Sequence, residues 1–207
     1  MEMINYELGK RPAILVVDVT RSLADSNVES AYQPCIEAGE YIQRLLKVSR
    51  ESNIPIIFTR GGKLSHTSGG INLTKIQRGG WAKKTKVRIE DQEMAKVYME
   101  ILPSLGPKEG EIVLDKSRSS AFFKTMLDTY LSSMKIDTLV IAGMMTSGCI
   151  RATVTDAFSN DFNILIPKEC VADKRIEAHN YHMDEMNLKY GQVKTLDEVV
   201  DYIESIS

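Results

Sequence analysis

Cys149 is the residue whose setting first suggests chemistry, and it falls in the stretch TLVIAGMMTSGCIRATVTD at 138–156. Thr138 to Ala142 is apolar and rich in β-branched residues, short enough for a buried strand, and Gly143 breaks it. Beyond Thr146, Ser147 and Gly148 the pattern changes: Cys149, Ile150, Ala152, Thr153, Val154, Ala157 and Phe158 recur at helical spacing. That pattern puts the thiol in the first turn of a helix that follows a strand. The first N–H groups of a helix have no partners within it, and the macrodipole places partial positive charge there, so a thiolate is favoured. The same amides are suited to hold the oxyanion of an attacked carbonyl. The expected arrangement resembles a nucleophile elbow with sulfur in place of a hydroxyl. Taken alone, however, the stretch favours a structural cysteine, because cysteine is among the most buried residue types.

Two charged residues stand at the carboxyl ends of other expected strands. Asp18 ends the apolar run AILVVDV at 13–19, which Pro12 opens and which reads as a central parallel strand buried on both faces. Ligands of open α/β sheets bind at the carboxyl ends of the strands, so a functional Asp18 and a turn-capping one are equally good readings. Lys116 follows a third short strand, Glu111 to Leu114. On its own it would be an ordinary surface lysine.

The elements that must position these groups follow in order. Pro34 to Ser52 is an amphipathic helix, Ile56 to Thr59 a second buried strand, and Glu90 to Leu102 a helix ended by Pro103. Ser119 to Lys135 is a turn and then a helix with Phe122, Phe123 and Met126 among its apolar contacts. After the central stretch come a fifth strand at Asn163 to Pro167, a polar loop at Glu169 to Arg175, a helix at Ile176 to Tyr190, a short strand at Gln192 to Lys194 and a closing helix at Leu196 to Ile206. Strands alternating with helices imply a parallel sheet covered on both faces, an α/β protein of three layers. From Arg60 to Arg88 the periodicity fails amid paired glycines, lysines and arginines, with Trp81 alone among them. A loop of that length is either a solvated surface or a lid that carries Trp81 over a site.

Composition excludes several classes of function. The chain has 207 residues, 43% of them hydrophobic, and suits a single domain spanning 1–207. Lysine and arginine total 26 against 28 for aspartate and glutamate, so nothing suggests a nucleic-acid or acidic-membrane partner. The start MEMINYELGK lacks the pattern of a signal peptide and no run is long enough to span a bilayer, so a cytoplasmic location is expected. Cys35, Cys149 and Cys170 form no CxxC pair, which favours reduced thiols. His179 and His182 have a spacing that can bind zinc, but no third ligand is evident and solvated or capping roles are favoured.

Together, VVDVTRSLAD at 16–25, DKSRSSAFFKTMLD at 115–128, GMMTSGCIRATVTDAFSNDF at 143–162 and PKECVAD at 167–173 form one pattern. By these stretches the chain resembles the isochorismatase-like cysteine hydrolases, most of all their N-carbamoylsarcosine amidohydrolase branch. The resemblance implies a Rossmann-like sheet of six parallel strands, order 3-2-1-4-5-6, with helices on both faces. It assigns Cys149 as nucleophile, Asp18 as the base that later protonates departing ammonia, and Lys116 as the cation that orients both. It also implies a non-proline cis peptide joining Met144 to Met145, next to Thr146, with the amides of Met145 and Cys149 as oxyanion donors.

The implied reaction is hydrolysis of a terminal carbamoyl or amide group through an acyl-cysteine, without metal or other cofactor, on a small substrate that bears a carboxylate. Lys174 stands where this branch places a carboxylate-binding arginine, with Arg175 beside it; Trp81 and Phe122 complete the candidate substrate contacts. The metal-binding aspartate and histidines of nicotinamidases are replaced here by Arg60, Gly61 and Gly62, with His66 nearby. Other readings are a maleamate-type or ureidoacrylate-type amidase, an isochorismatase-type vinyl-ether hydrolase, against which Cys149 argues, and a non-catalytic binding or assembly module. The family resemblance also implies a homo-oligomer, dimer or tetramer.

Overall fold

Alternation along the first strand decides how the layers form. In β1 (Pro12–Val17), Ala13, Leu15 and Val17 enter one apolar cluster and Ile14 and Val16 another, because successive side chains of a strand take opposite faces. The computed structural model describes residues 6–61 and 100–206. Ile14 and Val16 pack with Ile42, Leu45 and Leu46 of α2 (Gln33–Glu51) and with Val199, Val200 and Ile203 of α6 (Leu196–Ser205). On the opposite face, Leu15 and Val17 pack with Leu127 and Leu131 of α3 (Leu127–Ser133), Val154 and Ala157 of α4 (Arg151–Ser159), and Met183 and Met186 of α5 (Ile176–Lys189). A strand covered on both sides has to be apolar at every position, which is why AILVV shows no polar alternation.

The other strands are β2 (Ile56–Gly61), β3 (Ile112–Lys116), β4 (Thr138–Met144), β5 (Asn163–Pro167), β6 (Val171–Ala172) and β7 (Gln192–Lys194). All pair in parallel, in the order β3-β2-β1-β4-β5-β7, with β6 joined to β4 alone. The expected order holds for the first five, with the strand at Gln192–Lys194 in sixth place. The seventh, β6, falls in the stretch expected to be a polar loop. Its origin is geometric: β5 pairs with β4 only as far as Val140 and Leu165, then a single tight turn at Lys168–Cys170 returns the chain to Gly143 and Met144.

Three further expectations change. Residues 90–99 of the helix expected to reach Leu102 lie outside the described residues, and residues 100–102 are not helical. Ile101 instead bridges antiparallel to Thr20, with hydrogen bonds from Arg21 N to Glu100 O and from Leu102 N to Val19 O. The helix expected within Ser119 to Lys135 is regular only at Leu127–Ser133. Bonds from Phe122 N to Ser120 Oγ and from Thr125 Oγ1 to Ala121 O hold the preceding residues in irregular turns. Arg21–Ala24 forms a single added turn, α1, directly after β1. Among the described residues, no helix is long and apolar enough to cross a membrane.

Gly143 fixes the approach of β4 to β1. It faces Val17 in the ladder at a φ of +123°, and an added Cβ would lie 2.1 Å from Val17 O. Both the dihedral and the backbone contact exclude a side chain. Gly143→Ala is therefore expected to destabilise the protein by about 3 kcal/mol, read from its urea midpoint, because β4 must separate from β1 where Asp18 and the following turn begin. An unchanged midpoint would contradict this close approach.

Candidate active site

The carboxyl ends of β1, β3 and β4 bring three side chains together. Asp18 follows β1 directly, with φ at +55°, and its N–H donates to Thr59 O at 3.1 Å. Left-handed backbone is unusual for a residue with a side chain, but aspartate is among those that tolerate it. Thr59 Oγ1 donates to Asp18 Oδ1 at 3.0 Å. The other carboxylate oxygen, Oδ2, is 2.6 Å from Lys116 Nζ. β3 lies two strands from β1 in the sheet, so the lysine's four-carbon stem crosses the end of β2 to make this contact.

Lys116 Nζ also donates to Cys149 Sγ at 3.3 Å and to Arg118 O at 3.0 Å. Its side chain is 2% exposed and that of Asp18 14%. Burial alone would lower the lysine pKa, but the adjacent Asp18 and Cys149 charges and their hydrogen bonds outweigh it, and the result is above the ordinary value of 10.5. The ammonium is therefore retained throughout the neutral range. An ammonium between a carboxylate and a sulfur stabilises negative charge on both and fixes their spacing.

The segment carrying the sulfur differs from expectation. Thr146–Ile150 is a wide π-type turn, in which Ile150 N donates to Met145 O at 3.2 Å, and the regular helix α4 begins at Arg151. Cys149 thus precedes the α-helix, in a wide turn of the kind found often at functional sites. The peptide joining Met144 to Met145 is cis, as the resemblance implied.

The turn is held from α5 and the segment before it. Ser147 N and Oγ donate to Asp173 Oδ2 at 2.9 and 2.6 Å, and Thr146 Oγ1 is 2.9 Å from His179 Nδ1. Burial would raise the Asp173 carboxyl, but the Ser147 hydroxyl, the amides of Ser147 and Arg175 and the charge interaction with His179 hold it below the usual carboxylate range. Burial lowers the His179 pKa, partly opposed by Asp173, so the imidazole is neutral at pH 7. His182, three residues on, bonds to Glu185 instead, so the two histidines have separate partners.

Phe122 is half-buried: its ring pairs with Phe162 at 6.0 Å, and it packs on the α3, α4 and α5 side of the sheet, against the same cluster that Cys149 borders. Lys174 and Arg175 are exposed; Lys174 Nζ lies 5.8 Å from the Tyr32 ring, and Arg175 N donates to Asp173. Trp81 and His66, with residues 62–88 of the expected lid, lie outside the described residues. Thr59, which holds Asp18, escaped the sequence reading; the available signal was a polar residue directly after the apolar run Ile56–Phe58. Cys35 and Cys170 are buried, and burial raises both thiols, Cys35 to about 12.

Comparison with known proteins agrees with this fold. The isochorismatase domain model matches residues 12–198. The N-carbamoylsarcosine amidase of Arthrobacter sp. is 28% identical over 199 residues, covering 96% of this chain and 73% of that protein. The maleamate amidohydrolase of Pseudomonas putida is also 28% identical, over 96% of this chain and 90% of its own. Among solved structures, a cysteine hydrolase from Pseudomonas syringae pv. phaseolicola superposes with a TM-score of 0.84 at 19% identity, covering 100% of this chain and 99% of that one, a likeness of fold.

Proposed function

We propose, from the fact that this chain belongs to the isochorismatase family and is a hydrolase of that family, that it is a cysteine-dependent amidohydrolase acting on a terminal carbamoyl or amide group. One observation carries the reading: a single buried ammonium, that of Lys116, lies 2.6 Å from the Asp18 carboxylate and 3.3 Å from the Cys149 sulfur. Asp18 takes the thiol proton, and the Cys149 thiolate, stabilised by Lys116, attacks the substrate carbonyl carbon. The C–N bond then breaks, and Asp18 returns the proton to the leaving nitrogen, which departs as ammonia. Water, deprotonated by Asp18, attacks the acyl-cysteine and releases the thiolate. A ureido substrate yields a carbamate, which decays to carbon dioxide and an amine; an amide yields a carboxylate. The amides of Met145 and Cys149 are the proposed donors to the oxyanion formed in each half-reaction.

The names of the two relatives at 28% identity favour a small substrate bearing a carboxylate. Assaying ammonia release from N-carbamoylsarcosine, other carbamoyl amino acids, maleamate, ureidoacrylate and nicotinamide tests the reading. Release from at least one carboxylate-bearing member is expected, with nicotinamide the poorest. No ammonia from any member, together with alkylation of Cys149 no faster than that of Cys35, would overturn it.

A further inference from the structure

Asp173 lies outside the three-residue cluster yet grips the turn that carries the sulfur. Its side chain accepts from Ser147 N at 2.9 Å, Ser147 Oγ at 2.6 Å and Arg175 N at 3.2 Å, and the residue is only 5% exposed. Ser147 is two residues before Cys149. The residue before Ser147, Thr146, is held in turn by His179 Nδ1 at 2.9 Å. Both ties come from one piece of chain, since Asp173 follows β6 and His179 closes the first turn of α5. β6 itself pairs with Gly143 and Met144, where β4 ends. The segment 171–179 therefore contacts the nucleophile's support on both sides of Met145.

From this arrangement we infer that Asp173 is a positioning residue for Cys149: its carboxylate fixes the Ser147 amide and hydroxyl, and through them the wide turn that sets the sulfur against the Lys116 ammonium. A buried carboxylate is costly unless its acceptors are filled, and here three donors from two segments fill it. A π-type turn leaves its first amides outside the regular helical pattern, so a fixed anion facing Ser147 N–H supplies the partner that a longer helix would not. The sulfur-to-ammonium distance depends on that turn, and a displacement of about 1 Å is enough to cost on the order of 100-fold in rate.

The inference rests on the proposed amidohydrolase reading for its kinetic arm, while its second arm, alkylation of Cys149 by iodoacetamide near neutral pH, needs no turnover. Asp173→Ala is expected to lower kcat by about 100-fold with KM changed less than about threefold, and to slow Cys149 alkylation about tenfold. Asp173→Asn, which keeps an acceptor toward Ser147, should recover part of both losses. Ser147→Ala removes only the hydroxyl donor and is expected to give a smaller loss of the same kind, about three- to tenfold in kcat, and it decides the matter if Asp173→Ala does not fold. Folded variants whose Cys149 alkylation and kcat both stay within twofold of the parent would overturn the inference, as would lower thermal stability with unchanged alkylation. An absence of ammonia release by the parent protein would count against the amidase reading alone, since slowed alkylation in the variants would still support Asp173 as the anchor of the turn.

Discussion

Replacing Cys149 with alanine is expected to lower ammonia release by roughly 10⁴-fold or more, leaving only what binding and the backbone donors supply. The other cysteines offer no substitute, because both are buried and burial holds their thiols above the ordinary range. Stability should change by only about 1 kcal/mol, since Cys149 is half-buried and its truncation leaves Lys116 with Asp18 and the Arg118 carbonyl as partners. Circular dichroism and the urea midpoint thus separate loss of chemistry from loss of fold. Cys149→Ser keeps the shape of the residue but replaces a thiol that ionises readily with a hydroxyl that does not; a loss of roughly 10³-fold is expected. Activity within tenfold of the parent in either variant would contradict the nucleophile assignment.

Lys116→Met is expected to have the second largest effect, for two separable reasons. Methionine keeps the length of the buried stem and removes the charge. The Asp18 carboxylate then keeps the Thr59 hydroxyl but loses its cation, and breaking a buried pair in this way costs about 3 kcal/mol in stability. The sulfur loses the ammonium at 3.3 Å, so its thiol pKa rises and less thiolate is present at pH 7. A loss of roughly 10³-fold in kcat is expected, and the pH profile of Cys149 alkylation should move to higher pH. The sign follows from the lysine itself, since Asp18 and Cys149 together keep its pKa above the ordinary lysine value despite burial, and that coupling is mutual. Asp18→Asn accordingly lowers the Lys116 pKa by removing one of the two anions. An alkylation profile that does not move in Lys116→Met would show that the ammonium does not set the state of the sulfur.

Much of this arrangement is legible in the sequence because burial on both faces leaves a distinctive mark. AILVV, IIF, LVIA and ILIP are uninterrupted apolar runs, and each lies in a strand; the strand expected at Asn163 to Pro167 matches at both ends. Asp18 stands out because a charged residue ends such a run, whereas Lys116 stands out only through the family pattern. The parts that were not legible depend on contacts distant in the chain or on very short elements. Val171–Ala172 is too brief for any periodicity and becomes a strand only because the chain returns to Gly143. The wide turn at Thr146–Ile150 differs from an α-helix by a shift of one hydrogen-bond partner, which apolar spacing does not encode. The contact of Phe122 with Phe162, distant in sequence, has no local signal. Glu100 to Leu102 likewise bridge back to the segment after β1, where helical propensity has no say.

The most direct measurement is the mass of the protein during turnover, taken by rapid acid quench with a substrate that releases ammonia, followed by mapping of the peptide that carries Cys149. The expected result is an adduct on Cys149 equal in mass to the substrate less one ammonia, forming with the first turnover and decaying as substrate is exhausted. Steady turnover with no adduct on that peptide, persisting after Cys149→Ala, would contradict the role of the sulfur held beside Lys116 and Asp18.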